Sequence, residues 1–193
     1  SALSNIAAGI TTVRDMGNTD DVLDKLVQRI DSGELAGPSV VRSGFIEGTS
    51  KTNAEGGTTV STEKEALAAV DKYADRHFFQ IKIYSSMNPA WVPAMAKEAH
   101  ARGLRVAGHI PAFTTTDDML NAGYDEITHI NQMMLNWVLK PGDDTRTLLR
   151  ITALKRLDGF DLDSPAPKKT LALVKEKGAA HDPTMVIMEH ALL

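Results

Sequence analysis

Short runs of strand character alternate with helical segments along most of this 193-residue sequence. Six runs are predicted to be strands, over residues 10–15, 39–43, 80–84, 104–108, 126–129 and 183–188. Helices are predicted between them, over residues 20–31, 62–76, 88–103, 116–123 and 164–178. A strand–helix repeat of this kind indicates a parallel sheet with helices packed outside it.

The sequence lacks the motifs of two common classes of parallel-sheet protein. Neither G-x-G-x-x-G nor a P-loop sequence occurs, which weakens a dinucleotide-binding or nucleotide triphosphatase interpretation. A barrel is favoured, but a complete one needs eight strands and about 250 residues. We therefore predict an α/β fold, an incomplete TIM-type (β/α)8 barrel, in one domain that spans residues 1–193.

Charge and composition exclude several classes of partner. The formal net charge is −4, so a nucleic acid or an anionic membrane is not expected to bind. The absence of cysteine excludes disulfides and thiolate metal ligands. No apolar run approaches the roughly 18 residues that a membrane helix needs, and no signal peptide is visible, so the compartment stays unknown.

The predicted strand at 80–84 carries a lysine at its centre. Gln80, Lys82 and Tyr84 share one face of this strand, opposite the two isoleucines. A buried ammonium costs several kcal/mol unless it is paired, neutralised or bound. Three interpretations of Lys82 stay open. It is a structural lysine that extends to the end of the sheet or pairs with an interior carboxylate, a neutral amine that takes up carbon dioxide as a metal-bridging carbamate, or a Schiff-base nucleophile.

Two later strands each end in a histidine. His109 follows the strand at 104–108, and His129 closes the strand at 126–129. Because the carboxyl ends of neighbouring parallel strands meet at one edge, Lys82, His109 and His129 are expected to converge there. Neutral imidazole is a common zinc ligand, so this set favours a metal site over Schiff-base chemistry. The other histidines, at 77, 100, 181 and 190, are weaker candidates.

These residues resemble the metal-dependent amidohydrolase superfamily, in its imidazolonepropionase-like and prolidase-like branch. The matching segments come in the order of the family and are 9–17, 80–84, 108–112, 125–130 and 182–184. The resemblance implies a distorted (β/α)8 barrel that holds one or two divalent metals, often zinc. It also implies that Lys82 is the carboxylated bridging ligand on the fourth strand, with His109 and His129 as ligands from the fifth and sixth.

Several features of that family have no counterpart in this sequence. No H-x-H pair occurs, although the family has one on its first strand, and no strand follows the seventh to supply the aspartate that is both metal ligand and general base. The β-sandwich domain is missing as well. The chain is therefore expected to be an internal fragment with strands two to seven and no certain catalytic residue. Asp182 is not expected to replace the base, because it precedes the strand predicted at 183–188.

Two long loops are predicted after strands, at 44–60 and 131–163, and should border the substrate pocket on the catalytic face. Tyr84 and Glu47 are candidate substrate-binding residues. The expected activity of the parent protein is hydrolysis of amide or peptide-type bonds in a small-molecule or dipeptide-like substrate, by a metal-activated water. This chain by itself is expected to be inactive or weakly active.

Two alternatives differ from this hydrolase in kind. One is a lyase that forms a Schiff base on Lys82. The other is a non-catalytic structural unit, because an incomplete barrel exposes strand edges and the apolar faces beside them. Because the barrel is incomplete, the chain is expected to form homo-oligomers through its exposed strand edges.

Overall fold

A computed structural model describes residues 2–192, and the side chains at 188 and 190–192 lie outside what it describes. The strands are β1 (Thr12–Asp15), β2 (Ser39–Gly48), β3 (Thr58–Val60), β4 (Gln80–Ile83), β5 (Arg105–Gly108), β6 (Glu126–Thr128) and β7 (Ala180–Asp182). The α-helices are α1 (Ala2–Ala7), α2 (Asp20–Asp31), α3 (Glu63–Asp75), α4 (Val92–Ala101), α5 (Thr116–Ala122), α6 (Ile130–Leu135), α7 (Leu149–Thr152), α8 (Pro165–Lys177) and α9 (Met185–Leu192). Short 3-10 helices lie at Pro89–Trp91 and Ala153–Leu157.

The strands form a single sheet in which every pairing between described strands is parallel. Its order is β1-β2-β4-β5-β6-β7, and β3 pairs with the distal part of β2. Apart from β3, the strands therefore lie side by side in the order of the chain, with helices between them. This confirms the α/β fold and the incomplete TIM-type barrel that the sequence predicts.

One arginine spans the concave face of this sheet and shows how strongly it curls. Arg14 of β1 has guanidinium nitrogens 2.6 Å from Glu126 of β6 and 3.0 Å from Asp182 of β7. A flat sheet would separate β1 from β7 by five inter-strand spacings, about 24 Å, which is far beyond the reach of one side chain. The sheet is therefore a half-barrel.

The convex face of the sheet is apolar and is covered by helices. Ile81 and Ile83 of β4 are fully buried there, in a hydrophobic cluster that includes Tyr73 of α3 and Met95 of α4. The alternation predicted for 80–84 is confirmed, because the isoleucines face the helices and the polar residues of β4 face the barrel interior. No helix of the described residues has both the length and the apolar character needed to cross a membrane.

The prediction of a loop over residues 44–60 is wrong at both of its ends. β2 continues to Gly48, and β3 then runs parallel to its last residues. The strand continues because Phe45 and Ile46 are buried on its opposite faces. The true loop covers only residues 49–57.

The last predicted strand, at 183–188, is also wrong. The structure has β7 at Ala180–Asp182, and the apolar residues that follow form α9. A short apolar run fits a buried strand and a helix equally well, so periodicity alone could not separate them. The segment at 131–163 is likewise more regular than predicted, since it contains α6 and α7.

Gly44 provides a test of the packing between sheet and helices. A Cβ atom at this position would lie 2.2 Å from Cγ of Tyr73. The Tyr73 ring cannot withdraw easily, because it is fully buried and its hydroxyl donates to the Phe45 carbonyl oxygen at 3.0 Å. Gly44→Ala is therefore expected to lower the free energy of unfolding by about 1–3 kcal/mol in urea denaturation.

Gly17→Ala is the matched control for this variant. A Cβ atom at Gly17 would lie 3.4 Å from the Phe45 ring, which is an ordinary contact. Equal stability of the two alanine variants would contradict the packing described for Gly44.

Candidate metal centre

Lys82, His109 and His129 lie at the carboxyl edge of three adjacent strands. Lys82 is on β4, His109 directly follows β5, and His129 directly follows β6. The ring centroids of the two histidines are 4.7 Å apart in an edge-to-face arrangement. The structure thus brings the three predicted residues together, while their binding of a metal stays a prediction.

His109 is held in the form that a metal ligand requires. It is 4% exposed, and burial is the main reason that its pKa lies well below the ordinary value, so the ring is neutral. Its Nδ1 atom is 3.1 Å from the Ser85 hydroxyl. Its Nε2 atom is buried and has no hydrogen-bond partner among the described residues. Such an unpaired nitrogen is costly in a protein interior unless something binds it.

His129 is fixed by a strained backbone turn. Its φ is 68°, in a region that non-glycine residues rarely adopt, and its Nδ1 atom lies 2.6 Å from the hydroxyl of Thr184, whose φ is 53°. Each such residue costs on the order of 1–3 kcal/mol, and such residues cluster at functional sites. Burial lowers the pKa of His129 below its ordinary value, which also favours the neutral ring.

Ser85 and Thr184 are partners that the sequence analysis missed. Each contacts the Nδ1 atom of one histidine and leaves Nε2 as the nitrogen free to bind. Thr184 lies in the matching segment 182–184, which is the only sequence signal that could have pointed to it. Ser85 directly follows Tyr84 and carries no signal of its own.

Lys82 is buried, and no counter-ion lies beside it in the part of the chain that the structure describes. It is 7% exposed, and its Nζ atom lies 5.5 Å and 5.9 Å from the ring centroids of Tyr84 and Phe45. Burial lowers its pKa to about 8, against the opposing influence of the Asp15 and Asp182 charges. No ion pair to Lys82 is found among the described residues, so the interior ion-pair interpretation is not supported. At pH 7 roughly a tenth of such amines are neutral.

Tyr84 and Glu47 have different surroundings. The Tyr84 ring stacks on His109 with centroids 3.9 Å apart and borders the cavity beside the histidines. Glu47 is fully buried at the end of β2, where its carboxylate accepts from the backbone N–H groups of Gly48 and Ser86 at 2.9 and 2.8 Å. Glu47 therefore links the ends of β2 and β4. It does not line the cavity beside the histidines.

The site opens on two neighbouring depressions. A cavity of about 160 Å³ is lined by both histidines together with Tyr84 and Arg150. Lys82 borders a second depression, and the Tyr84 ring borders both. Within the described residues no three His, Cys, Asp or Glu side chains converge as a metal site.

The placement predicted for Asp182 is wrong. It ends β7 at the carboxyl edge instead of preceding its strand, because the strand itself lies earlier than predicted. Its carboxylate accepts from the Arg14 guanidinium at 3.0 Å and from the Thr184 backbone N–H at 3.3 Å. Asp182 is thus engaged in the contacts that support the turn beside His129.

The remaining histidines lie away from the cavity or outside the described atoms. His77 is exposed, and His100 is exposed and lies 2.9 Å from an Asp125 carboxylate oxygen. His181 lies within β7, not before it as predicted. The side chain of His190 is outside the part that the structure describes.

Comparison with known proteins gives matches among solved structures only. No family model matches the sequence, and no curated protein matches it. A Xaa-Pro dipeptidase with bound methionine in its active site is 22% identical, with a TM-score of 0.65 over 96% of this chain and 45% of that one. The ochratoxinase of A. niger is 16% identical, with a TM-score of 0.67 over 99% and 45%. A putative prolidase from Bifidobacterium longum is 25% identical, with a TM-score of 0.55 over 66% and 34%.

These neighbours are amidohydrolase-type enzymes, and the resemblance of the sequence to that superfamily is confirmed at the level of the fold. The chain spans between a third and a half of the length of each of these structures. The activities in their names are those of the neighbours.

The buried amine of Lys82 makes stability depend on pH with a predictable sign. Its pKa of about 8 in the folded protein lies below the ordinary 10.5, so the folded state loses this proton before the unfolded state does. The wild type should therefore gain stability as the pH rises from about 8 to 10.5. In metal-free protein at pH 7, Lys82→Met should raise the free energy of unfolding by about 2–3 kcal/mol, and this advantage should shrink over that range.

Urea denaturation at pH 7 and pH 10 measures this difference. Lys72→Met is the control, because Lys72 is 41% exposed and paired with Asp20 at 2.6 Å. An advantage of Lys82→Met that stays constant with pH would show that the amine is not desolvated as described.

Proposed function

We propose that the amidohydrolase-type barrel of this chain belongs to a metal-dependent hydrolase of amide or peptide bonds. Lys82, His109 and His129 would hold the metal ion. The observation that carries the proposal is the buried Nε2 atom of His109, which has no partner among the described residues although Nδ1 of the same ring is held by Ser85. A neutral imidazole with one nitrogen held and the other free is the form that binds a divalent cation.

Zinc is the metal that this donor set fits best, since it accepts imidazole nitrogen and anionic oxygen together. When bound, the metal supplies a Lewis acid and a water of lowered pKa for attack on the amide carbonyl. Ser85 and Thr184 orient the two imidazoles. The Tyr84 ring covers one face of His109 and limits the access of bulk water to it.

We propose carbon dioxide as the second component of the site. The neutral amine of Lys82 would attack the carbon of carbon dioxide, form an N–C bond and release one proton, which leaves an anionic carbamate with two oxygen atoms. The lowered pKa of Lys82 supports this step, because only the neutral amine reacts. The same neutral amine would serve the rival Schiff-base lyase, but that reaction gives no role to the free nitrogen of His109.

No residue of this chain is assigned as the general base. Asp182 is held by Arg14, and Glu47 is buried among backbone donors. We therefore propose that this chain alone has weak hydrolytic activity or none.

Metal content tests the ligand assignment directly. Protein purified without chelators in bicarbonate buffer is expected to hold about one zinc ion per chain by elemental analysis. Lys82→Ala and His109→Ala should lose it, whereas His77→Ala, which changes an exposed histidine, should keep it. Carbon-13 NMR of protein in labelled bicarbonate should show a carbamate signal that Lys82→Ala lacks. Unchanged metal content in Lys82→Ala would overturn the assignment.

We also propose that two copies of the chain associate through the open edges of the half-barrel. β1 and β7 are the ends of the sheet and each pairs with only one strand among those described. Exposed apolar side chains lie beside both edges, namely Leu3, Ile6 and Ile10 near β1, and Met185, Val186 and Ile187 after β7. Open edges flanked by apolar surface favour pairing with another strand edge.

Light scattering coupled to size-exclusion chromatography should therefore give a mass above that of one chain, rising with concentration. Val186→Glu is expected to weaken this association, because it places a charge beside the β7 edge. Phe79→Glu is the control, since Phe79 is 49% exposed but precedes β4 in the middle of the sheet. A strict monomer at every concentration would contradict the proposal.

A further inference from the structure

Arg14 connects the two open edges of the half-barrel through its interior. Its guanidinium lies 2.6 Å from Glu126 of β6 and 3.0 Å from Asp182 of β7, and it also donates to the Gln80 side-chain oxygen at 3.4 Å. The Glu126 side chain is 7% exposed, whereas that of Asp182 is 43% exposed. Burial of a charge explains the pair with Glu126, but it does not explain the pair with Asp182, which water could solvate.

The Asp182 carboxylate uses its two oxygens on different partners. Oδ2 accepts from the Arg14 guanidinium at 3.0 Å, and Oδ1 accepts from the Thr184 backbone N–H at 3.3 Å. A bond from an aspartate side chain to the N–H group two residues later is an Asx turn, which directs the chain as it leaves the strand. Because the guanidinium holds one oxygen in place, it also fixes the direction of the other.

The turn over residues 182–184 lies against the residues that follow β6. The His129 backbone N–H donates to the Asp182 carbonyl oxygen at 2.6 Å, and the Ile130 N–H donates to that of Pro183 at 3.0 Å. The Thr184 hydroxyl lies 2.6 Å from Nδ1 of the His129 ring. This one turn therefore contacts both the backbone and the ring of His129.

Two residues of this arrangement have backbone angles that need support. The φ angle is 53° at Thr184 and 68° at His129. Such angles persist only where the surrounding contacts over-determine them. The sheet gives little of this support, because β7 is three residues long and pairs only with β6 among the described strands. The contact from Arg14 reaches β7 from across the barrel and adds a support that the ladder of the sheet does not provide.

We propose that Arg14 is a positioning residue for His129. It holds the Asp182 carboxylate, the carboxylate holds the turn over residues 182–184, and Thr184 in that turn holds the imidazole so that Nε2 is left for a ligand. The inference rests on the proposed function, because the orientation of this ring matters to the binding of a metal. It gives β1, at one edge of the sheet, control over a histidine near the other edge.

The hydrogen bonding of the ring is measured on metal-free protein by nitrogen-15 NMR of the imidazoles at pH 8. Burial lowers the pKa of His129 below its ordinary value, so the ring is neutral at this pH. His129→Gln identifies the signals of this ring, and Thr184→Val gives the reference spectrum of a ring without its hydroxyl partner. In Arg14→Met the ring nitrogens of His129 should shift toward their positions in Thr184→Val.

Arg42→Met is the matched control. The Arg42 side chain is 25% exposed, against 26% for Arg14, and it pairs with Asp24 of α2 at 3.1 Å. Its removal therefore breaks an ion pair of similar exposure on the helix side of the sheet. This variant should lose stability without any shift of the His129 signals.

Arg14→Met leaves the Glu126 carboxylate without its charge partner, which could prevent folding. Circular dichroism and thermal melting show whether the variant is folded. If it is not, the comparison is made with Arg14→Met/Glu126→Gln, which removes both charges and still releases Asp182. The same shift of the His129 signals is expected.

Zinc affinity is the second measurement. Arg14→Met and Thr184→Val should each weaken zinc binding by about 10- to 100-fold, the usual effect of losing a group that orients a metal ligand. The double variant should bind zinc no more weakly than the weaker of the two single variants, because both changes act through the same ring.

Unmoved His129 signals in Arg14→Met, or an equal shift in Arg42→Met, would overturn the positioning role. A double variant in which the two losses of zinc affinity multiply would overturn it as well. A chain that binds no zinc would remove the proposed function, and the NMR comparison would still decide whether Arg14 positions the ring.

Discussion

The close approach of β4 and β5 is the constraint on which the candidate site depends. Gly108 allows it: its φ of 145° favours glycine, and a Cβ atom there would lie 2.0 Å from the Ile83 carbonyl oxygen. The next residue, His109, donates its backbone N–H to that same oxygen at 2.9 Å. Lys82 pairs with Ala107 in the same register. The lysine and the first histidine are therefore set against each other by main-chain bonds, before any side-chain contact.

The interior of the half-barrel carries two sets of polar groups. In the first set, Arg14 joins Glu126 and Asp182, which links the first strand to the last two. Glu126 is buried, so removal of Arg14 would leave it without this compensating charge. In the second set, Lys82 and His109 have no counter-ions among the described residues, and burial favours their neutral forms. The unpaired groups thus lie at the carboxyl edge, where barrel enzymes have their active sites.

Binding of a metal at this edge would use the nitrogen atoms of His109 and His129 and the amine of Lys82. Burial favours the neutral form of each of these three groups, although most Lys82 amines are still protonated at pH 7. Metal binding therefore depends on ligands that have lost their protons.

The sequence by itself determined the strand–helix order and the three residues at the ends of β4, β5 and β6, because side-chain alternation and the parallel order of strands are readable locally. Tertiary structure alone decided the burial of Glu47, the position of β7 with Asp182 at its end, and the reach of Arg14 across the barrel. It also decided that Arg150 borders the histidines. These features depend on contacts between residues far apart in the chain, and short apolar runs such as 183–188 fit more than one secondary structure until such contacts select one.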